Sequence, residues 1–359
     1  VSLSRLALAQ FRSWARLELA FDARPVAIFG PNGSGKTNIL EAISMLSPGR
    51  GLRGAAPSDQ GRQEAGAGWR VRADLGGHEV ETRAAPEGPR EVLIDDRPVP
   101  QVALGRLARV IWLVPAMDRL WTDAPEGRRR FLDRLTLSFI PGHAESSLVW
   151  DKAMRERNRL LRDGVGDSGW HGALEAQMAE AGAAITANRL AALARLAAAQ
   201  TDGATAFPVA RLTLLPGEGF ADDPDPQALA ARLAEGRRRD LAAGRTLTGP
   251  HRADLGAVWG PGDMPAAQSS TGEQKALLLS LVLANVRALA EEPVLLLLDE
   301  VAAHLDAGRR AQLYAEIAAL PAQTFLTGTG PELFAELRGH AMFLRIERDS
   351  GPSRAEVQE

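Results

Sequence analysis

The 359-residue chain contains no cysteine. That excludes disulfides, thiolate catalysis and cysteine-ligated zinc, and it fits a reducing compartment, so a cytoplasmic location is expected. Lysine is scarce as well: Lys36, Lys152 and Lys275 are the only three, against a background of arginine. Such a bias is what a GC-rich genome imposes, and two of the three lysines, Lys36 and Lys275, fall inside motifs. No stretch approaches the ~20 consecutive apolar residues that a membrane-spanning helix needs. The first residues mix arginines into apolar positions instead of forming the uninterrupted core of a signal peptide. A soluble protein without a membrane partner is expected. An excess of positive charge is also missing. The net charge is −3 and the pI near 6.2, so any contact with nucleic acid must come from local patches rather than a global field. Hydrophobic content of 45% and charged content of 24% lie in the globular range.

What is present is organised around Val26–Glu41, VAIFGPNGSGKTNILE. A short apolar strand, Val26 to Phe29, leads into a glycine-rich loop, and Lys36-Thr37 opens a helix. Gly30, Gly35, Lys36 and Thr37 satisfy G-x-x-x-x-G-K-[ST] in its strand–loop–helix context. Gly30, Gly33 and Gly35 permit backbone angles that let successive N–H groups turn inward around an anion. The helix start adds unpaired N–H groups and the positive end of its dipole. Lys36 is expected to reach the β- and γ-phosphates of ATP, and Thr37 to place a hydroxyl on Mg²⁺.

Alternating apolar and polar residues predict two strands around Phe11–Trp14 and an antiparallel meander over 69–75, 79–84 and 91–94. Helical periodicity follows over 128–138, 147–161 and 173–199, with Leu174, Met178, Ile185, Leu193 and Leu196 on one side as a core-facing stripe. The acidic run Ala221–Pro226 is expected as a surface loop. From Leu255 strand–helix alternation resumes, ending in a closing strand at 341–346, and its continuous apolar strands imply a parallel sheet. The expected division is an ATPase head over 1–115, a helical lobe over 116–239 and the remainder of the head over 240–359.

Two further motifs bear chemistry. Val294–Leu298 is an apolar strand that delivers Asp299 and Glu300 at its carboxyl end, beside the phosphates of a P-loop sheet. Asp299 is expected to hold Mg²⁺, as the acid of a Walker B strand does, and Glu300 to polarise the water that attacks the γ-phosphate, which makes Lys36, Asp299 and Glu300 the expected catalytic group. Ser269-Ser270-Thr271-Gly272-Glu273-Gln274-Lys275 precedes one helix upstream. Locally it reads as a capping box, with Ser270 three residues before Glu273. Its position is also that of the ABC-type ATPase signature, whose helix start grips the γ-phosphate held by a partner subunit. Ala302–Asp306 then matches the D-loop of the same class. Where a transporter ATPase would carry a switch histidine, this chain has Thr327-Gly328-Thr329. His251 and His304 lack a second ligand at useful spacing, which speaks against zinc.

Phe11-Arg12, GPNGSGKTN, Gly249-Pro250-His251-Arg252-x-Asp254, the STGEQK signature and LLDEVAAHLD together closely resemble the RecF family of bacterial DNA replication and repair proteins. Arg128–Asp133 and Arg157-Asn158-x-Leu160-Leu161 extend the likeness across nearly the whole chain. The signature departs from a plain SGGQ. The resemblance implies an α/β fold: an ABC-type P-loop head with a mixed sheet and an antiparallel part, plus an inserted mainly helical lobe, like a chromosome-organising head without its coiled coil. It implies that ATP is contacted by Gly30, Pro31, Asn32, Gly33, Ser34, Gly35, Lys36, Thr37 and Asn38. It places Ser270, Thr271, Gly272, Glu273 and Asp306 at the nucleotide from the dimer side, and Thr37 and Asp299 on Mg²⁺. It further implies ATP-dependent homodimerisation on double-stranded and gapped DNA, slow DNA-stimulated hydrolysis, and work with RecR and RecO to place RecA.

Arg128–Arg130, Arg155–Arg162 and Arg237–Arg239 are the candidate DNA-contacting clusters. An ATP-gated dimeric scaffold without a repair role is the alternative function. A transporter ATPase would need the switch histidine, and a coiled-coil ATPase a far longer insertion. An ABC-type nuclease would need an acidic metal-binding cluster outside these motifs.

Overall fold

The computed structural model describes residues 2–62, 66–165, 167–201, 205–217, 224–260, 262–348 and 351–358. The chain forms two compact units: Val1–Asp118 with Ala204–Phe207 and Leu278–Glu359, and Arg119–Gly203 with Pro208–Leu277.

The first unit begins with β1 (Leu3–Phe11), β2 (Trp14–Ala20) and β3 (Val26–Phe29), followed by α1 (Lys36–Ser44) and a single turn, α2 (Pro57–Gln60). Next come β4 (Trp69–Leu75), β5 (His78–Ala84), β6 (Glu91–Ile94), β7 (Arg97–Pro98) and β8 (Arg109–Leu113). The expected meander forms: strands in the order β2-β1-β4-β5-β6-β7 pair antiparallel throughout. Alternation of burial along β1, β2 and β4 is the imprint of one covered face.

The second unit contains α3 (Pro125–Phe139), α4 (His143–Arg162), α5 (Ser168–Thr201), β9 (Ala210–Leu215), α6 (Pro226–Glu235), α7 (Arg237–Ala243), β10 (Asp254–Trp259), β11 (Met264–Pro265) and the start of α8 (Thr271–Arg287). The stripe of Leu174, Met178, Ile185, Leu193 and Leu196 on α5 is buried as expected. Leu174, Met178 and Ile185 pack with Trp150, Leu229 and Leu233. Residues 221–223 of the expected acidic loop lie outside the described residues; Asp225 caps α6, accepting from the N–H groups of Gln227 and Ala228. The first unit resumes at Leu278 and not at residue 240 as expected. Residues 240–277 belong to the second unit, because β10 pairs along its full length with β9, Asp254 opposite Leu215 and Trp259 opposite Ala210.

Back in the first unit, β12 (Val294–Leu298), α9 (Ala307–Ala319), β13 (Ala322–Gly328), β14 (Met342–Glu347) and β15 (Arg354–Gln358) complete a second sheet in the order β15-β14-β3-β13-β12-β8. Five of its strands are parallel, and β12 is buried at every position. The strand expected to close this sheet, β14, is followed by a sixth, β15, which pairs antiparallel to it. β15 alternates charged and small residues, so it lacks the continuous apolar run that marks the other strands. One apolar core joins both sheets and α1, including Leu6, Ile28, Ile39, Ile43, Leu297 and Leu344.

Candidate nucleotide site

In the second sheet β3 lies beside β13, and β13 beside β12, all parallel. The carboxyl ends of these strands therefore deliver the P-loop, Thr327 and Asp299-Glu300 to one edge, where ligands of open parallel sheets bind. Gly35 stands at φ 112° as the N-terminal cap of α1. A Cβ there would lie 2.6 Å from the hydroxyls of both Ser13 and Ser353, so only glycine fits. Pro31, Asn32 and Gly33 form the exposed crest of the loop, whereas Ser34, Gly35 and Lys36 are buried.

Lys36 donates its ammonium to the carbonyls of Gly30 and Pro31, at 2.8 and 2.9 Å, which folds it over the loop. Burial pulls its pKa down, and the charges of Glu300 and Asp299 oppose that shift. The Ser34 hydroxyl is buried with no hydrogen-bond partner. Such an orphan in a glycine-rich loop at a helix start fits a phosphate oxygen. The Thr37 hydroxyl lies 3.0 and 3.1 Å from the two carboxylate oxygens of Asp299. A hydroxyl and a buried carboxylate brought together are the hard oxygen donors that Mg²⁺ takes. Thr327 donates to Asp299 Oδ1 at 2.6 Å and accepts from the N–H of Glu300 at 2.9 Å.

A cavity of about 280 Å³ borders α1, lined among others by Arg12, Ser13, Asn38, Arg53, Arg62 and Arg348. Asn38 donates to the Ser13 hydroxyl at 2.8 Å and accepts from Arg53 at 2.9 Å. Arg12 and Arg53 both donate to Glu41, whose side chain is fully buried. Sequence reasoning placed Arg12 only within a resemblance and did not find Arg53, Arg62 or Arg348. The available signal was Glu41 itself: an acid on the apolar face of α1, between Leu40 and Ala42, requires a cation.

The remaining expected residues fall in both units. Ser270, Thr271, Gly272 and Glu273 belong to the second unit, and Asp306 to the first. Ser270 and Glu273 form the reciprocal capping box: Glu273 Oε2 accepts from the N–H and hydroxyl of Ser270 at 2.8 and 2.7 Å. Ser270, Thr271 and Gly272 are exposed. Asp306 caps α9, accepting from the N–H of Arg309 at 2.9 Å. The side chain of His304 lies outside the described residues.

The candidate DNA-contacting clusters separate into buried and exposed arginines. Arg128 forms a two-pronged pair with Asp254, 2.8 Å on each side. Arg157 is fully buried between Glu175 and Asp240, and Arg237 also binds Glu175. These three are committed to internal carboxylates and are corrected from surface candidates to framework residues. The GPHR segment serves the same framework. The carbonyl of Pro250 accepts from Arg189 at 2.8 Å, His251 lies against Trp150 with ring centroids 5.6 Å apart, and a Cβ on Gly249 (φ 137°) would collide with the Trp150 ring.

A family model, RecF/RecN/SMC N terminal domain, matches residues 2–348. The DNA replication and repair protein RecF of Brucella suis biovar 1 is 46% identical, covering 96% of this chain and 94% of that protein. The chain belongs to the RecF family. The RecF of Mesorhizobium japonicum is 44% identical with 98% of each chain covered. In fold, this RecF-family chain is similar to the solved recombination mediator protein RecF-ATP of the RecFOR pathway, with a TM-score of 0.83 at 22% identity and 99% of each chain covered. The ABC-type head with its mixed sheet is thus the fold of this family member. Its arginine framework includes residues that carried the resemblance: Arg128, Arg157, Pro250, Asp254 and Asp133, whose carboxylate accepts from Arg189 at 2.7 and 3.0 Å.

Proposed function

We propose that this RecF-family protein is an ATP-driven DNA-binding dimer of recombinational repair that hydrolyses ATP slowly and faster on DNA. The observation that carries the reading is the convergence of Lys36, Thr37, Asp299 and Glu300 at neighbouring strand ends, joined by the Thr37–Asp299 contact. The P-loop N–H groups and Lys36 receive the β- and γ-phosphates, with Lys36 exchanging its carbonyl partners for phosphate oxygens. The Arg12–Arg53–Asn38 cavity supplies cationic and amide groups suited to the rest of the nucleotide. Mg²⁺, held by the Thr37 hydroxyl and the Asp299 carboxylate, would neutralise charge on the phosphate oxygens. Glu300 takes a proton from water as the water oxygen bonds to the γ-phosphorus and the bond to the β-bridging oxygen breaks, giving ADP and inorganic phosphate.

The signature residues Ser270–Glu273 act on the nucleotide of a second copy. The exposure of Ser270, Thr271 and Gly272 at the start of α8 supports this, and two-fold symmetry would then make two identical composite sites. For DNA, the exposed face of α4 carrying Lys152, Arg155, Arg159 and Arg162, with Arg238 and Arg239, supplies phosphate contacts. RecR and RecO are the partners that membership in the family suggests, with RecA loading at gapped DNA as the outcome.

The test is size-exclusion chromatography with light scattering on Glu300→Gln, with ATP and duplex DNA each present or absent. A dimer that persists with ATP and is retained on DNA is expected. A monomer under all four conditions would remove the dimer mechanism.

A further inference from the structure

The end of β13 carries a hydroxyl that none of the P-loop, Walker B or signature motifs accounts for. Leu326 pairs with Leu298, so Thr327, one residue on, lies level with Asp299; it also pairs with Ile28 of the strand that leads to the P-loop. Thr327 is 1% exposed. Its hydroxyl has one proton, and its hydrogen bonds leave no choice in where that proton points. The N–H of Glu300 can only donate, so the hydroxyl turns a lone pair to it at 2.9 Å and gives its proton to Asp299 Oδ1 at 2.6 Å.

Each bond constrains a different carboxylate. Glu300 stands at φ 54°, ψ 19°, the left-handed region that a residue with a Cβ enters at a cost. The Thr327 bond holds that peptide, and so sets the direction in which the Glu300 side chain leaves the strand. Asp299 Oδ1 accepts from Thr327 while Thr37 spans both carboxylate oxygens. The Thr37 hydroxyl is the one expected to turn to Mg²⁺, whereas that of Thr327 is committed to the two acidic residues alone. Lys36, which feels both charges, makes its own hydrogen bonds to loop carbonyls and supplies no such link.

We propose that Thr327 is a positioning residue for hydrolysis: through one hydroxyl it fixes the backbone of Glu300 and the carboxylate of Asp299 relative to each other. The inference rests on the hydrolytic reading above. It predicts that the hydroxyl governs turnover and the metal requirement while nucleotide capture by the P-loop is left intact.

The experiment compares Thr327→Val, which keeps the shape and removes the hydroxyl, with Thr327→Ser, which keeps the hydroxyl. In Thr327→Val, kcat should fall at least about tenfold, equivalent to ~1.4 kcal/mol in the barrier, with KM for ATP within about twofold of wild type. The Mg²⁺ concentration for half-maximal binding of a fluorescent non-hydrolysable ATP analogue should rise several-fold. Thr327→Ser should bring both values back to within about threefold of wild type. If the valine variant does not fold, Thr327→Ala removes the same hydroxyl without demanding space and is read in the same way. Absence of either change without the hydroxyl, or persistence of either in Thr327→Ser, overturns the assignment. Glu300→Gln measured in parallel separates the two readings: full turnover there defeats the hydrolytic mechanism itself, whereas lost turnover there beside an unaffected Thr327→Val defeats only the role of Thr327.

Discussion

Thr37 and Asp299, 262 positions apart in the chain, meet with the threonine hydroxyl 3.0 Å and 3.1 Å from the two carboxylate oxygens. The contact exists because β3 and β12 flank β13 in the parallel part of the sheet, so the residues following their carboxyl ends arrive at one edge.

Lys36→Met should abolish productive nucleotide binding. The ammonium is buried above the loop, and a thioether chain leaves phosphate charge without its partner. Lys36→Arg should retain binding and lose hydrolysis, since a planar fork cannot replace a compact ammonium in this loop. Titration with a fluorescent ATP analogue beside a phosphate-release assay distinguishes the two outcomes; wild-type turnover in Lys36→Met would contradict the P-loop assignment.

Ser270→Arg should leave ATP binding by the monomer intact and block both dimerisation and hydrolysis. The side chain is exposed, so the larger residue is accommodated in the monomer, while the capping box with Glu273 is lost at a cost of about 1 kcal/mol. Mixtures of Lys36→Met and Ser270→Arg subunits should retain at most one composite site per heterodimer. Hydrolysis independent of protein concentration would exclude the arrangement.

Arg157→Ala should destabilise the second unit by roughly 3–5 kcal/mol, because Glu175 and Asp240 would remain buried with a cation missing. Charge reversal at Arg155, Arg159 and Arg162 should instead spare the melting temperature and weaken DNA binding, with a shallower dependence on salt. Denaturant melts and DNA affinity at two salt concentrations, run on both sets, check this division of roles.

Acidification should destabilise the second unit through His251. Burial pushes its pKa down to about 4, with Arg252, Arg129 and Arg189 adding to the effect and the bond to the Thr246 carbonyl opposing it. Between the unfolded value near 6.5 and about 4 the unfolded chain binds the proton and the native one does not, so this contribution favours folding above pH 6.5 and declines as pH falls through that window. The slope attributable to the residue is about 1 kcal/mol per pH unit. Urea melts of His251→Gln between pH 7 and 5 should show a flatter pH dependence than wild type.

The sequence by itself determined the P-loop, the Walker B strand and the meander, because each is a local pattern: glycine spacing, a five-residue apolar run at 294–298, and period-two alternation. It also determined the Ser270–Glu273 capping box, whose partners are three residues apart. Only the tertiary structure decided which arginines are surface and which are framework. Arg155 and Arg157 stand two positions apart on α4, and helical rotation exposes the first and buries the second between Glu175 and Asp240. The same holds for Arg53 on Glu41 and for Thr327 between Asp299 and Glu300. A hydrogen bond across 12 or 28 residues leaves no periodicity in the chain: the first is set by how the turn after α1 folds back on that helix, the second by strand order and register, which arise from packing of the whole sheet.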